Sequence, residues 1–295
     1  MTQTTTFPSL GQNPRSTGLA IALAGAILMS FDPIFIRFSG VGGFDTAFLF
    51  GLFTAISMPI FIHLRDERGV LGTLKASGWP VVLSGLLMLG SASALVLSIK
   101  NTSVANTFVI LSTAPALAAV FSRIFLGEVT RRATWIAIVA VMVGIAIVVS
   151  GSFGAGNLYG DVLAFFAVTC VSLNQTLLRR FQSVSRMASV GMGGLFLAVV
   201  MFFLASPESF SLSTWIIMAA MGLFTAPFGR VLSQVATRYI TAPEVGMILM
   251  LEAVFAPLFA FGFFGEVPPL TSFVGGTVIL VTVFVYAVVS SREEA

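Results

Sequence analysis

The chain has 295 residues, of which 57% are hydrophobic and only 9% charged, and its mean hydropathy is +1.02. Soluble domains carry roughly a quarter charged residues, so water is excluded as the main solvent and the chain reads as an integral membrane protein. A single cysteine, Cys170, and a single histidine, His63, exclude an internal disulfide and a Cys/His metal site, and the net charge of +3 lies in short loops, not in a nucleic-acid-binding surface.

Residues 1–17 are polar, lack a basic leader region and precede an apolar run too long for a signal peptide, so they read as a disordered cytoplasmic tail. Cutting the rest at charges and turn clusters leaves ten apolar stretches of about 20 residues, enough for a helix to cross a bilayer. They lie near 18–38, 44–63, 79–99, 103–125, 133–151, 160–179, 187–205, 214–237, 244–264 and 269–290. The longest connection, near 64–78, holds Arg65, Asp66, Glu67, Arg68 and Lys75. Ten spans put both termini on one side. Charge selects the cytoplasmic face of the cell inner (plasma) membrane for them, because only Arg37 and Lys100 of the 15 basic residues then fall outside. Trp79, Trp135 and Trp215 each open a span, where an amphipathic ring sits at headgroup level.

Sliding the chain on itself by 138 residues brings Ser103, Asn106, Ile110, Phe121 and Gly127-Glu128 onto Thr241, Glu244, Ile248, Phe259 and Gly265-Glu266 without a gap. At the front of each half a shift of 142 places Gly18 on Gly160, Ser30 on Ser172, Asp32 on Asn174 and Arg37 on Arg179. Residues 18–151 and 160–290 are therefore expected to be two copies of one five-helix unit. Five is odd, so the second copy is inverted in the membrane, an arrangement typical of transporters whose two halves exchange inward-open and outward-open shapes.

The segments from Ala94 to Thr130 and from Ala236 to Val267, each with small residues, a proline within the span and a closing Gly-Glu, resemble the paired signatures of the EamA group of the drug/metabolite transporter superfamily. Pro115 and Glu128 match in the first half; in the second, Ala253 stands where the family usually has proline, with Pro257 one turn later. The resemblance implies an all-α fold of ten transmembrane helices, in two inverted EamA-like repeats around a central cavity. It further implies a small-molecule substrate, often an amino acid or an amphipathic drug, and usually export; amino-acid exporters of the aromatic type belong to this group.

Three charged residues fall well inside spans: Asp32, Arg230 and Glu252. Each costs a few kcal/mol at mid-membrane and so should face the bundle interior or a wet cavity. Asp32 comes 14 residues after Gly18, roughly 20 Å along a helix rising 1.5 Å per residue, with Asn174 at mirrored depth in the second copy and Gln175 in the place of Pro33. Two readings stand for Asp32. It binds a substrate amine or a proton, or it satisfies backbone donors freed by Pro33 or pairs with a basic residue. Glu252, near the midplane, suits a proton carrier or a structural contact between the repeats. Arg230 has three options: to snorkel, to pair with Glu252, or to hold a substrate carboxylate. Glu128 and Glu266 end their helices beside glycines and read as interfacial. Phe31, Phe35, Phe165 and Phe166 could stack on an aromatic substrate, although with 29 phenylalanines packing and lipid contact compete for each.

No GxxxxGK[ST] loop occurs, so direct use of ATP is not expected. Neither is an intramembrane enzyme, whose spans would hold a Ser/His or paired-Asp cluster. The expectation is a secondary transporter or facilitator that moves amino acids out of the cell by alternating access. Protons and the lipid bilayer are its expected partners, and neither a cofactor nor nucleic acid is. Asp32 would meet an ammonium group, and Arg230 or polar helix ends a carboxylate. Efflux of cationic amphipathic drugs, with Asp32 and Glu252 supplying charge, and uptake of a metabolite are the alternatives.

Overall fold

The computed structural model describes residues 14–150, 157–265 and 267–292, and among them all regular structure is helical. The first half runs α1 (Pro14–Met29), α2 (Asp32–Ser39), α3 (Gly43–Arg65), α4 (Gly69–Ser77), α5 (Trp79–Asn101), α6 (Val104–Leu111), α7 (Ala114–Leu126) and α8 (Arg132–Val149). The second runs α9 (Leu158–Arg180), α10 (Arg186–Phe202), α11 (Leu212–Ala220), a π-helical stretch (Met221–Thr225), α12 (Ala226–Ala236), α13 (Ala242–Leu249), α14 (Glu252–Phe264) and α15 (Leu270–Arg292).

Nine helical stretches in the described residues are long and apolar enough to cross a membrane, α1–α2, α6–α7, α11–α12 and α13–α14 each counting as one. The tenth, α10, is apolar and has 17 residues, at the short end of what spans a bilayer. Ten helices in two repeats is therefore the architecture. One boundary moves: the chain is already helical at Pro14, the first described residue, four residues before the expected start at Gly18, and Arg15 enters a buried contact. The rest of the expected tail, residues 1–13, lies outside the described residues. The connection near 64–78 holds the short helix α4, closed against Asp66, which accepts from Arg68 and Thr73. Those Arg68 bonds hold the Asp66 carboxyl well below the usual carboxylate range.

The repeat is visible in the helix ends. Adding 138 to both bounds of α6 gives α13, the same shift carries α7 onto α14, and Gly127 and Gly265 close α7 and α14 in the same left-handed conformation. The interruption between α6 and α7 at Ser112–Thr113 thus recurs between α13 and α14 at Met250–Leu251. Pro115 explains the first, since it cannot donate to the Leu111 carbonyl. Ala253 offers no such reason, yet the break persists: Met250, Leu251, Ala253 and Val254 all donate to carbonyls three residues back instead of four. The α1–α2 span has its own break at Ser30–Phe31, just before Pro33, whereas α9 is continuous because Gln175 occupies the equivalent place.

Packing is mostly between halves. The most extensive helix contacts are α3 with α10, α5 with α9, α8 with α15, α5 with α10, and α1 with α12. The last is a close approach: a Cβ on Gly25 would lie 3.0 Å from the Gly229 carbonyl oxygen, and one on Gly229 3.2 Å from that of Gly25. Large apolar side chains such as Ile136, Phe203 and Phe284 point outward, while Ser84, Thr54 and Ser98 are fully buried, the distribution expected where lipid surrounds the bundle. Trp79 and Trp135 are exposed at their helix starts, but Trp215 packs edge-on against Phe53 and Phe210.

Candidate functional site

The sequence-singled residues separate into two groups. In the first, Asp32 is the opening residue of α2 and Glu252 the opening residue of α14, so two helix breaks each deliver a carboxylate into the bundle. A carboxylate in a first helical turn also faces the positive end of the helix dipole. Arg230 sits one turn past the π-helical stretch, and such stretches distort the local ladder enough to re-aim side chains. Its Nη1 donates to Asp32 Oδ2 at 2.9 Å and to the Ala226 carbonyl at 3.1 Å, and its guanidinium lies 4.4 Å from the centre of the Phe50 ring.

Arg230 therefore pairs with Asp32, not with Glu252. The glycine contacts between α1 and α12 fix the register that makes this so, bringing the two helices together along the stretch from Gly18 to Gly229. Glu252 is not left apart, for it lies within electrostatic range of both Asp32 and Arg230. Two carboxyl groups and one guanidinium thus share the site. Asp32 is buried, and its Oδ1 has no hydrogen-bond partner in the protein. Leaving a buried carboxylate oxygen unbonded is expensive, so the site holds an unfilled acceptor.

The second group is neutral. Asn174 does not meet Asp32; its Oδ1 accepts from Ser84 Oγ on α5 at 2.6 Å, and Ser84 in turn bonds Ser189 on α10. Gln175 is buried beside Gly246 and Pro115, with its Oε1 unpartnered. Position 174 thus carries an amide where the first repeat carries a charge.

Aromatic residues near Asp32 are engaged in packing. Phe31 stacks on Phe259 of α14 with centroids 4.3 Å apart and meets Phe263 edge-on, while Phe35 packs against the cluster formed by α3, α10 and α11. Phe165 and Phe166 are more than half exposed on the outer surface. A hollow of about 450 Å3 between α3 and α10 is lined by apolar side chains such as Phe48, Leu195 and Phe202 and contains none of the ionisable residues.

Two polar contacts were not foreseen. Arg179 donates to Glu128 at 3.1 Å and to the Thr237 carbonyl, which ties the end of α9 to the turn after α7. The matched pair in the other half is Arg37 and Glu266, and Glu266 lies outside the described residues. Arg15 meets Glu244 and Tyr286 in a buried cluster. The signal for Glu244 was present as Thr241-x-x-Glu244, a capping box that starts α13, but nothing in the sequence pointed to Arg15 as its partner.

Comparison with known proteins agrees with the fold in two repeats. The EamA-like transporter family model matches the chain twice, over residues 16–150 and 158–288. No curated protein matches it. One solved crystal structure superposes with a TM-score of 0.82 over 95% of this chain and 100% of its own, at 19% sequence identity, which is a likeness of fold.

Proposed function

The chain belongs to the EamA-like transporter family, a membrane-transporter family of the drug/metabolite transporter superfamily, and from that premise we propose that it exports amino acids across the plasma membrane by alternating access between its two halves. The repeats are taken as residues 18–151 and 160–290, with both termini cytoplasmic as the Lys/Arg distribution favours.

The observation that carries this reading is the group formed by Asp32, Arg230 and Glu252. An α-amino acid is a zwitterion. Its ammonium complements Asp32, whose Oδ1 is unbonded, and its carboxylate complements the Arg230 guanidinium, so the substrate replaces an internal ion pair instead of leaving two charges unpaired in a poorly hydrated interior. Phe50, under the guanidinium, and Phe31, next to Asp32, supply apolar surface for a side chain, which makes aromatic amino acids the first substrates to try. In this reading Asn174 and Gln175 receive the substrate on the cytoplasmic side of the midplane, and Phe35 supports Phe31 through the packing of α2. Glu252 carries a proton, exchanging it as the halves change places, so that the pH gradient is coupled to transport.

The test is flux into liposomes containing the purified protein, with labelled amino acids and cationic dyes, with and without a pH gradient. Amino-acid flux above that of empty liposomes supports the proposal. Flux of dyes alone would assign the site to cationic amphiphiles, and no flux of any solute would defeat the transport reading.

A further inference from the structure

At the end of the bundle where α1 begins, four side chains from four helices are buried together: Arg15 on α1, Thr134 on α8, Glu244 on α13 and Tyr286 on α15. Arg15 Nη2 donates to Glu244 Oε1 and, at 3.1 Å, to the Tyr286 hydroxyl. That hydroxyl donates to the same Glu244 oxygen at 2.5 Å and pairs with Thr134 Oγ1 at 2.9 Å. Glu244 Oε2 accepts from the Thr241 backbone at 2.7 Å and from its hydroxyl at 2.8 Å. A tyrosine oxygen has one proton to give and two lone pairs, so with Glu244 as acceptor both Arg15 and Thr134 are donors to it.

Two features separate this cluster from ordinary packing. First, α1 and α13 are the two helices that continue, past a break, into α2 and α14, whose opening residues are Asp32 and Glu252. The cluster and the ionisable site therefore lie on the same pair of interrupted helices, one on each side of the breaks. Second, the repeat provides an internal comparison at the opposite end. The 142 shift carries Arg15 to Asn157, and the 138 shift carries Asn106 to Glu244 and Val148 to Tyr286. There the joint is made by the Thr102 hydroxyl, which accepts from the Asn157 backbone at 3.3 Å and from Asn106 Nδ2 at 3.5 Å, and donates to Asp161 at 2.8 Å. No ion pair connects the matched positions. At Thr102 one bond, that to Asp161, has a single ionised partner, whereas Arg15 and Glu244 are both ions and Tyr286 adds a further bond to the carboxylate, so these two matched joints are fastened unequally.

We propose that the Arg15–Glu244–Tyr286–Thr134 cluster is a latch that holds the end bearing Arg15 closed, so that the empty protein rests with its other end the easier to open. The proposal rests on alternating access and on the orientation argued above, which makes the latched end cytoplasmic. Opening requires α1 and α13 to part at the latch while the breaks at Ser30–Phe31 and Met250–Leu251 take up the bend.

The test reads accessibility, so a protein that transports nothing still answers it. Gly246 lies along α13 between Glu244 and the break that precedes Glu252, and a Cβ there meets nothing nearer than 3.4 Å. A Gly246→Cys reporter, in a Cys170→Ser background, is exposed to a membrane-impermeant maleimide from the cytoplasmic face of inside-out vesicles. Tyr286→Phe and Glu244→Gln should each raise the labelling rate roughly tenfold, the effect of losing one charge-assisted bond. Thr102→Val should leave labelling at that face unchanged. Rates within twofold of the parent for both latch variants, in monodisperse protein, would overturn the latch. Loss of folding in both, including Tyr286→Phe, which removes only a hydroxyl, would make the cluster a static brace and overturn it equally.

Discussion

Arg230 of the second repeat donates to Asp32 of the first across 2.9 Å, and the position that matches Arg230 in the first repeat is Ala92. The pair is thus a departure from the internal symmetry, placed between halves in which α6 and α13, and α7 and α14, share their bounds to the residue. Asp32→Asn should lower transport by tenfold or more while the protein stays folded, because it removes the charge that would meet an ammonium group. Wild-type flux in the variant would remove Asp32 from the site.

A double variant separates binding from bracing. Arg230→Gln alone leaves the Asp32 carboxylate without its partner and should lower the melting temperature in detergent by several degrees. Asp32→Asn with Arg230→Gln should restore most of that loss, since neither charge remains, yet should not restore transport. Recovery of both would mean that the pair only supports the fold.

For Glu252 the informative variable is the pH gradient. Glu252→Gln cannot exchange a proton, so flux in that variant should no longer respond to a gradient that accelerates the parent, with the gradient-free rate changed less than about threefold. A gradient response equal to the parent's would assign proton coupling elsewhere.

Pro33 marks a helix break that continuous α9 lacks. Pro33→Ala should let α1 and α2 join as α9 does, raising thermal stability, since proline within a helix costs about 3 kcal/mol. Flux should fall, because Asp32 would lose its place at a helix start. Unchanged stability together with unchanged flux would show that the break is imposed by packing alone.

Close packing sets the register on which the pair depends. Gly229→Val should force α1 from α12, with Met29 Cγ already only 2.7 Å from where a Cβ would lie. Overpacking of this kind costs about 1–3 kcal/mol and should appear as a lower melting temperature and weakened flux, whereas Gly262→Ala, with nothing within 4 Å, should leave both alone.

The spans and the 138-residue register were legible because each follows from one-dimensional pattern: apolar run length and self-similarity. The partner of Arg230 was not. Asp32 and Glu252 both fall at depths an arginine can reach, and only the packing of Gly25 on Gly229 chooses between them. Arg15 was read as a topological charge in a polar tail, since its burial depends on Glu244, 229 residues away. The interruption at Met250–Leu251 also escaped notice, because sequence flags a helix break through proline, and there the backbone tightens without one. Trp215 shows the same limit: a tryptophan at a span start suggests an interfacial anchor, but tertiary neighbours decide whether the ring meets lipid or Phe53.

The five largest helix contacts all join an early helix to a late one. During synthesis α1, α3, α5 and α8 enter the bilayer before their partners exist, with small and polar surfaces such as Gly25, Thr54 and Ser84 still facing lipid. The first half therefore waits in the membrane for the partners of its most extensive helix contacts. α15 brings Tyr286 to Arg15, 271 residues earlier in the chain, so this contact can form only after every helix between them has been made.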